Sequence, residues 1–257
     1  MNQKSNDFAL SVVIVALNEE LRIERAITSV LWASEVILYD SGSMDKTIQI
    51  AQKMGVKIVT GDWKGFGATK KLATEFASHD WILSIDADEV ATAELATEIK
   101  QRWDNLNPRT AYQVPRLSNY LGRWIRHGGW YPDFQVRLFN RKFSNWNLAE
   151  IHEKVEALNY ESLSQHLEHY VFKDIEHHVQ TNNRYSTLQA IEMHKQKKSF
   201  SWFHFLTKPQ VKFVECYFLK LGFLDGWVGL FIAKSAAYSV LLKWSKLKAL
   251  GEKEFQK

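Results

Sequence analysis

Trp81-Ile82-Leu83-Ser84-Ile85-Asp86-Ala87-Asp88-Glu89 joins a short apolar run to three acids. A β-rich run that ends so abruptly in charge reads as a buried strand whose tip opens into a cleft. Asp86 and Asp88, at i and i+2 just past the strand, can lean toward one point. Like charges held that close are costly unless something positive lies between them. A hard divalent cation, Mg²⁺ or Mn²⁺, meets that need, because it takes oxygen ligands and bridges carboxylates to phosphates. An isolated Asp-x-Asp is common in solvated acidic turns. Its meaning here rests on the sequence around it.

Upstream, strand and helix signals alternate. Ser11-Val12-Val13-Ile14-Val15 is a continuous β-branched run, the signature of a buried parallel strand. Ile23, Ile27, Val30 and Leu31 then recur at helical spacing, a stripe suited to face a sheet. Glu35–Tyr39 reads as the second strand, and Asp45–Met54 as a second helix that Gly55 stops. Val56–Val59, Thr69–Ala77 and Trp81–Ile85 complete the series as strand, helix and strand. Such alternation implies right-handed crossovers and a parallel sheet covered on both faces. Sheets of this kind bind ligands beyond the carboxyl ends of their strands. The polar clusters fall at those ends: Asn18-Glu19, Asp40–Thr47 and Asp86-Ala87-Asp88.

Downstream the pattern loosens. Residues 108–156 are rich in Trp, Arg and Gly, and Phe134–Phe139 is the one clear strand signal there. Beyond Tyr160 comes a His-rich passage, then helical patterns to the C-terminus. The expected architecture is therefore α/β: a mostly parallel, Rossmann-like sheet flanked by helices over 1–160, with a helical C-terminal region over 161–257.

The totals fit that picture. A chain of 257 residues, 46% hydrophobic and 24% charged, holds a sizeable core. A net charge of +4 is mild, and no nucleic-acid partner is expected from it. After Lys195 the lysines recur among aromatics, a pattern for an anionic membrane surface rather than a duplex. The single cysteine, Cys216, leaves no internal disulfide and fits a reducing compartment. The apolar run from Phe8 to Leu17 has strand character and lacks a cleavage site, so no signal peptide is expected. No stretch reaches the roughly 18 uncharged apolar residues of a spanning helix. The expected location is cytoplasmic, and the resemblance set out below implies a peripheral position on the cytoplasmic face of the inner membrane. An ordinary helical subdomain packed on the sheet is the plainer account of the same aromatic helices.

Val13–Glu19, the Asp40-Ser-Gly-Ser-x-Asp-x-Thr47 turn and Leu83–Glu89 together resemble a family 2, GT-A fold glycosyltransferase. The resemblance is nearer to the lipopolysaccharide inner-core glucosyltransferases of bacteria. It extends through Gly129–Asp133, Arg137-Leu138-Phe139, Ile151-His152-Glu153 and Gly222–Gly226.

That resemblance implies a set of roles. Asp40 would accept the imide N–H of a uracil ring and Glu19 the ribose hydroxyls. Asp40-Ser-Gly-Ser also reads as an Asx-type turn before a helix, and both readings can hold at once. Gly65-Phe66-Gly67, with Lys70 and Lys71, would bring positive charge to a diphosphate, although the family carries Arg-Asn where Lys70-Lys71 stands. Lys71 fits a solvated helix face equally well. Asp88 would ligate Mg²⁺ or Mn²⁺, with Asp86 beside it toward the sugar or ribose. An inverting transfer further needs a carboxylate that takes the acceptor hydroxyl's proton. Glu153, after Arg137–Arg141 and His152, is the first choice and Asp133 the runner-up. A turn acid after proline and a strand-edge charge are their plainer readings. His166, His169, His177 and His178 lack a cysteine pair and regular spacing, which argues against structural zinc. His152 could instead complete the metal's shell.

The implied partners are a UDP-sugar donor, a heptose of lipopolysaccharide core as acceptor, and the inner-membrane surface. Two rivals stand beside this reading. A nucleotidyltransferase would need a Gly-rich basic loop after the first strand, where Ala16-Leu17-Asn18-Glu19 stands instead. A non-catalytic lipid- or glycan-binding protein would have no need to keep Asp40, Asp86 and Asp88.

Overall fold

The computed structural model describes residues 8–148 and 153–254. In chain order the first elements are β1 (Leu10–Ala16), α1 (Ile23–Thr28), β2 (Glu35–Asp40), α2 (Thr47–Lys53), β3 (Lys57–Thr60), α3 (Phe66–Glu75) and β4 (Trp81–Asp86). Then come β5 (Glu89–Ala91), α4 (Ala93–Arg102), β6 (Thr110–Tyr120), β7 (Arg123–Ile125), β8 (Asp133–Asn140), β9 (Asn145–Trp146) and β10 (Val155–Glu156). The series closes with β11 (Asn159–Ser162), β12 (Leu167–His169), α5 (Ile175–Lys195), α6 (Trp202–Val214) and α7 (Gly226–Glu254). A π-helical turn, Glu215–Leu219, and a 3₁₀ turn, Gly222–Asp225, join the last two helices.

Two compact units are formed. One holds the described residues up to Arg116 together with Asp133–His169; the other holds Leu117–Pro132 and everything described from Tyr170 onward. In the first, strands run in the order β3-β2-β1-β4-β8-β6-β12-β5. The pairs β3–β2, β2–β1 and β1–β4 are parallel, as the alternating pattern implied. At β4 the sheet changes sense: β8 pairs antiparallel to β4, and β6 antiparallel to β8. The α/β class, mostly parallel near the N-terminus with flanking helices and C-terminal helices, is the fold expected.

The core explains the sequence pattern. Val12 and Ile14 of β1 point to one face with Ile23 and Ile27 of α1 and Leu95 and Ile99 of α4. Val13 points to the other face with Ile37, Ala73, Phe139 and Trp146. A strand buried on both sides has no polar alternation to show, which is why β1 reads as unbroken apolar sequence.

Three expectations need correction. The helix drawn through Leu31 ends at Thr28, so Val30 stays buried while Leu31 turns out to solvent. Residues 108–156 hold more strand than Phe134–Phe139: β6 alone spans Thr110–Tyr120. Pro115 within it hid the signal, since proline cannot donate to a ladder and argues against a paired strand. The region expected to be helical from 161 opens instead in the sheet, with β11 ending at Ser162 and β12 spanning Leu167–His169, and α5, which carries His177 and His178, begins only at Ile175.

The second unit has its own small core of Tyr120, Ile125, Val228 and Ile232, with Trp130, Phe172 and Phe231 against it. His178 is buried in it, stacked on Phe172 at 4.3 Å and hydrogen bonded through Nδ1 to the Tyr120 hydroxyl at 2.9 Å. Asp225 accepts from the His127 backbone N–H at 2.9 Å and lies 3.0 Å from His127 Nδ1. A Cβ on Gly229 would fall 1.8 Å from the Gly222 carbonyl oxygen, so the turn into α7 closes only on glycine.

Candidate active site

Strand register sets the site. Asp40 pairs with Ala16 and Asp86 with Val15, so β2, β1 and β4 end level on one edge. Neighbouring strands lie about 4.8 Å apart, which brings the three polar clusters onto one rim.

The loops after β1 and β2 are stitched together there. Ser41 N–H donates to the Ala16 carbonyl at 3.0 Å. Asn18, at φ 55°, donates its N–H to Ser43 Oγ and accepts from Met44 N–H through Oδ1, both at 2.8 Å. Glu19 N–H donates to Thr47 Oγ1 at 2.8 Å, and Glu20 N–H to Asp45 Oδ2 at 3.0 Å. Asp40 is fully buried and makes the expected Asx-type turn: Oδ1 accepts from Gly42 N–H at 3.0 Å and Ser43 N–H at 2.8 Å. Gly42 sits at φ +105°, a conformation side chains resist. Oδ2 accepts from the Ser43 hydroxyl. The Glu19 carboxylate lies 3.6 Å from Arg22 Nη1, which is 4.0 Å from Asp88 Oδ2.

At the tip of β4 the structure assembles a chain of alternating charge. Glu153 Oε1 accepts from Lys70 Nζ at 3.0 Å, and Lys70 reaches Asp86 Oδ1 at 2.8 Å. Asp86 Oδ2 accepts from Arg137 Nη2 at 2.6 Å, and the same Nη2 contacts Glu89 Oε1 at 2.5 Å. Glu89 also accepts from Arg116 Nη1 at 3.2 Å, and Arg116 holds Asp133 through Nε at 2.9 Å. The two carboxylates singled out as bases, Glu153 and Asp133, thus stand at the two ends of one network that passes through Asp86.

The local fold explains each member. Arg116 and Asp133 are direct partners across β6 and β8. Arg137 is buried on β8, one residue beyond the Leu138–Leu83 pairing that ends the β4 ladder, and so faces the β4 tip. Lys70 is buried on α3 with its ammonium 4.9 Å from the centre of the Trp146 ring. Glu89, expected at an open acidic tip, is instead fully buried, and its Oε2 accepts the Asp86 N–H at 3.0 Å.

The electrostatics follow. Burial pushes the Asp86 carboxyl up, but Arg137, Lys70 and Arg116 outweigh it and hold it well below the usual range. Burial likewise raises Asp133, and Arg116 with Gln135 brings it below its ordinary value. Arg137 loses charge preference to burial and regains more from Asp86 and Glu89, so its guanidinium is held charged. Its Nε is a buried donor without a hydrogen-bond acceptor among the described residues.

Asp88 stands apart from that chain. β5 and β12 pair Glu89 with His169, and this brings His169 Nε2 to 3.5 Å from Asp88 Oδ2. Among the described residues no three His, Cys, Asp or Glu side chains converge tightly enough to hold an ion unaided. One carboxylate and one imidazole are a partial shell, of the kind Mg²⁺ or Mn²⁺ completes with phosphate and water oxygens. That donor set fits. Asp86 fits less well as a direct ligand, since both its oxygens already face cations. His152 lies outside the described residues.

Of the residues singled out from the sequence, Lys70, Asp86, Glu153 and Asp133 join this network, Asp88 and Glu19 meet at Arg22 beside it, and Asp40 lies on the same rim. Lys70, expected on a diphosphate, pairs with Asp86 and Glu153. Glu89, Arg116, Arg22 and His169 were not assigned roles in it beforehand. Arg137 carried a signal, a charge within the apolar strand Phe134–Phe139.

The Asp86-Ala87-Asp88 tip thus stands on the rim of the parallel strands, beside a cluster of paired acids and bases. The sequence profile of glycosyl transferase family 2 matches residues 11–159, and the chain belongs to that family. An uncharacterized glycosyltransferase of Rickettsia typhi is 32% identical over 95% of this chain and 88% of its own. A lipopolysaccharide core biosynthesis glycosyltransferase, LpsC of Rhizobium meliloti, is 26% identical over 93% of this chain and 91% of its own. Among solved structures, glucosyl-3-phosphoglycerate synthase of Mycobacterium tuberculosis, in complex with Mn²⁺, UDP and phosphoglyceric acid, is 26% identical with a TM-score of 0.34. That match covers 44% of this chain and 43% of the synthase, less than half the length of either. Family membership leaves the nucleotidyltransferase alternative without support.

Proposed function

We propose that this protein is an inverting, metal-dependent hexosyltransferase that moves glucose from UDP-glucose to a heptose of lipopolysaccharide inner core. It acts as a peripheral protein on the cytoplasmic face of the inner membrane. The observation that carries the reading is the position of Lys70, hydrogen bonded to Glu153 and paired with Asp86, which joins the Asp-x-Asp tip to a candidate base. The LpsC relative supports the choice of acceptor, and the wider resemblance supports the donor.

In this reading Asp88 and His169 hold Mg²⁺ or Mn²⁺, which supplies positive charge to the diphosphate leaving group. Arg22, between Glu19 and Asp88, adds a fixed cation on the same side. Asp40 Oδ2 keeps acceptor capacity beyond the Ser43 hydroxyl for a uracil imide N–H. Glu19 takes the ribose hydroxyls. Asp86 and its two cations present an ordered polar wall to the sugar. The acceptor hydroxyl oxygen attacks the anomeric carbon, the bond from that carbon to the diphosphate oxygen breaks, and UDP departs. The hydroxyl proton passes to Glu153. Asp133 is the alternative base, and Arg116 and Gln135 hold its carboxyl below the ordinary range, which makes it a poorer proton acceptor than a free carboxylate.

The test is UDP release from UDP-glucose with Mg²⁺ or Mn²⁺ and lipopolysaccharide acceptor, comparing wild type with Asp88→Ala. Metal-dependent turnover lost in a folded Asp88→Ala protein supports the reading. Absence of release by wild type with several UDP-sugars and acceptor present sinks it.

A further inference from the structure

Trp146 meets the charged network twice, once through its ring and once through its backbone. The ring is a third partner of the Lys70 ammonium, with its centre 4.9 Å from Nζ, beside Asp86 Oδ1 at 2.8 Å and Glu153 Oε1 at 3.0 Å. Lys70 is only 7% exposed, and a desolvated ammonium over an indole face is the strong form of that attraction. The backbone connection runs through β9 and β10, which pair antiparallel with Trp146 opposite Val155, two residues past Glu153. Asn147 N–H donates to the Lys154 carbonyl at 2.9 Å, and Lys154 N–H to Asn147 Oδ1 at 3.2 Å. One short ribbon therefore carries an aromatic face and a carboxylate to the same ammonium. Two strands of this size are marginal by themselves, so the ribbon depends on its anchor. Trp146 is that anchor: it is 4% exposed, meets Phe139 edge-to-face at 6.3 Å, and shares a core cluster with Ala73, one turn beyond Lys70 on α3. Its Nε1 is a buried donor with no acceptor among the described residues. The network draws on the ring and its face rather than on the N–H.

We infer that Trp146 is a positioning residue for the transfer step. Its ring fixes the Lys70 ammonium, its ribbon fixes Glu153, and together they hold the base at a set distance from the Asp86 tip. Lys70 occupies Glu153 Oε1, so Oε2 takes the acceptor's proton. This rests on the assignment of Glu153 as the base and deepens it, because the aim of that base is set by a buried ring that binds no substrate. Asp40, Glu19 and Asp88 stand on other elements, so affinity for UDP is independent of Trp146.

The experiment compares Trp146→Leu and Trp146→Phe in the full-length protein, by kcat, by the dissociation constant for UDP, and by urea unfolding with and without Lys70→Met. Trp146→Leu is expected to lower kcat about 10²-fold, the cost of displacing a reacting group by about 1 Å, with UDP affinity unchanged. Trp146→Phe keeps an aromatic face and loses an N–H that has no acceptor, so kcat should return to within about tenfold of wild type. In the unfolding equilibrium constant, Trp146→Leu and Lys70→Met should depart from additivity by about tenfold, a measurement that needs no turnover. If Trp146→Leu fails to fold, Asn147→Ala loosens the ribbon outside the core and should lower kcat about tenfold, again at unchanged UDP affinity. Equal kcat in the Leu and Phe variants, UDP binding lost in parallel with kcat, or no effect of Asn147→Ala would overturn the inference. Additive unfolding effects beside normal wild-type turnover overturn this role alone. A wild type without turnover sinks the transfer function, and this role with it.

Discussion

Lys70 donates to Glu153 across 83 residues of sequence, at 3.0 Å, while its ammonium also lies 2.8 Å from Asp86. One buried cation therefore couples a candidate base to the acid tip of β4. Lys70→Met is expected to cost about 3–5 kcal/mol of stability, because it leaves two carboxylates short of a partner. A double-mutant cycle with Glu153→Gln should show a coupling of about 1–3 kcal/mol in urea unfolding. Additive effects would mean that the pair is not energetically coupled.

The two base candidates separate kinetically. Glu153→Gln should lower kcat by about 10²–10⁴ while UDP binding is retained. Asp133→Asn should stay within about tenfold of wild type, a loss of orientation rather than of the proton acceptor. The reverse order would transfer the base assignment to Asp133.

Metal dependence has its own signature. Chelation should abolish UDP release and re-addition of Mn²⁺ or Mg²⁺ restore it. His169→Ala should weaken metal affinity by about 10–100-fold, a loss that higher metal concentration partly recovers. A variant whose metal titration matches wild type would remove His169 from the site.

Glu89 is a stability residue at the heart of the network. It is fully buried and touches two guanidinium groups and the Asp86 N–H. Glu89→Ala should lower unfolding free energy by about 3–5 kcal/mol, with Glu89→Gln milder. The midpoint of urea denaturation reads this directly. An unchanged midpoint would show that Arg116 and Arg137 are satisfied without it.

The second unit should weaken in mild acid. Burial, with a smaller push from His177, lowers His178 to about 4 from an unfolded value of 6.5. Between those values the unfolded chain binds the proton and the native chain does not. The contribution is complete above pH 6.5, is lost as pH falls toward 4, and amounts to about 3 kcal/mol at most. Thermal melts at pH 7 and pH 4.5 should diverge in wild type and converge in His178→Gln. Equal divergence in both would place the acid sensitivity elsewhere.

The parallel half of the sheet was legible because doubly buried strands leave unbroken apolar runs between helical stripes. β6 was not, because Pro115 interrupts a strand whose pairing depends on β8, more than a dozen residues away in sequence. The rim acids Asp40, Asp86 and Asp88 were legible as clusters at strand ends. Their partners were not. Arg116, Arg137 and His169 reach the site through the antiparallel pairings β6–β8 and β5–β12 and the register of β8 against β4. No local pattern encodes those pairings. Glu89 misled for the same reason: an acid beside two others reads as solvated until two arginines from distant strands enclose it.

The stitched loops after β1 and β2 have a thermodynamic consequence. Across this seam Ser41 N–H bonds to Ala16, Asn18 to Ser43 and Met44, Glu19 N–H to Thr47 and Glu20 N–H to Asp45. A ligand arriving at this rim meets a floor that needs no ordering, so the entropy lost on binding falls on the ligand alone. Loosening the seam, as Asn18→Gly would, should therefore show up first as a less favourable binding entropy, before any contact to the ligand is removed.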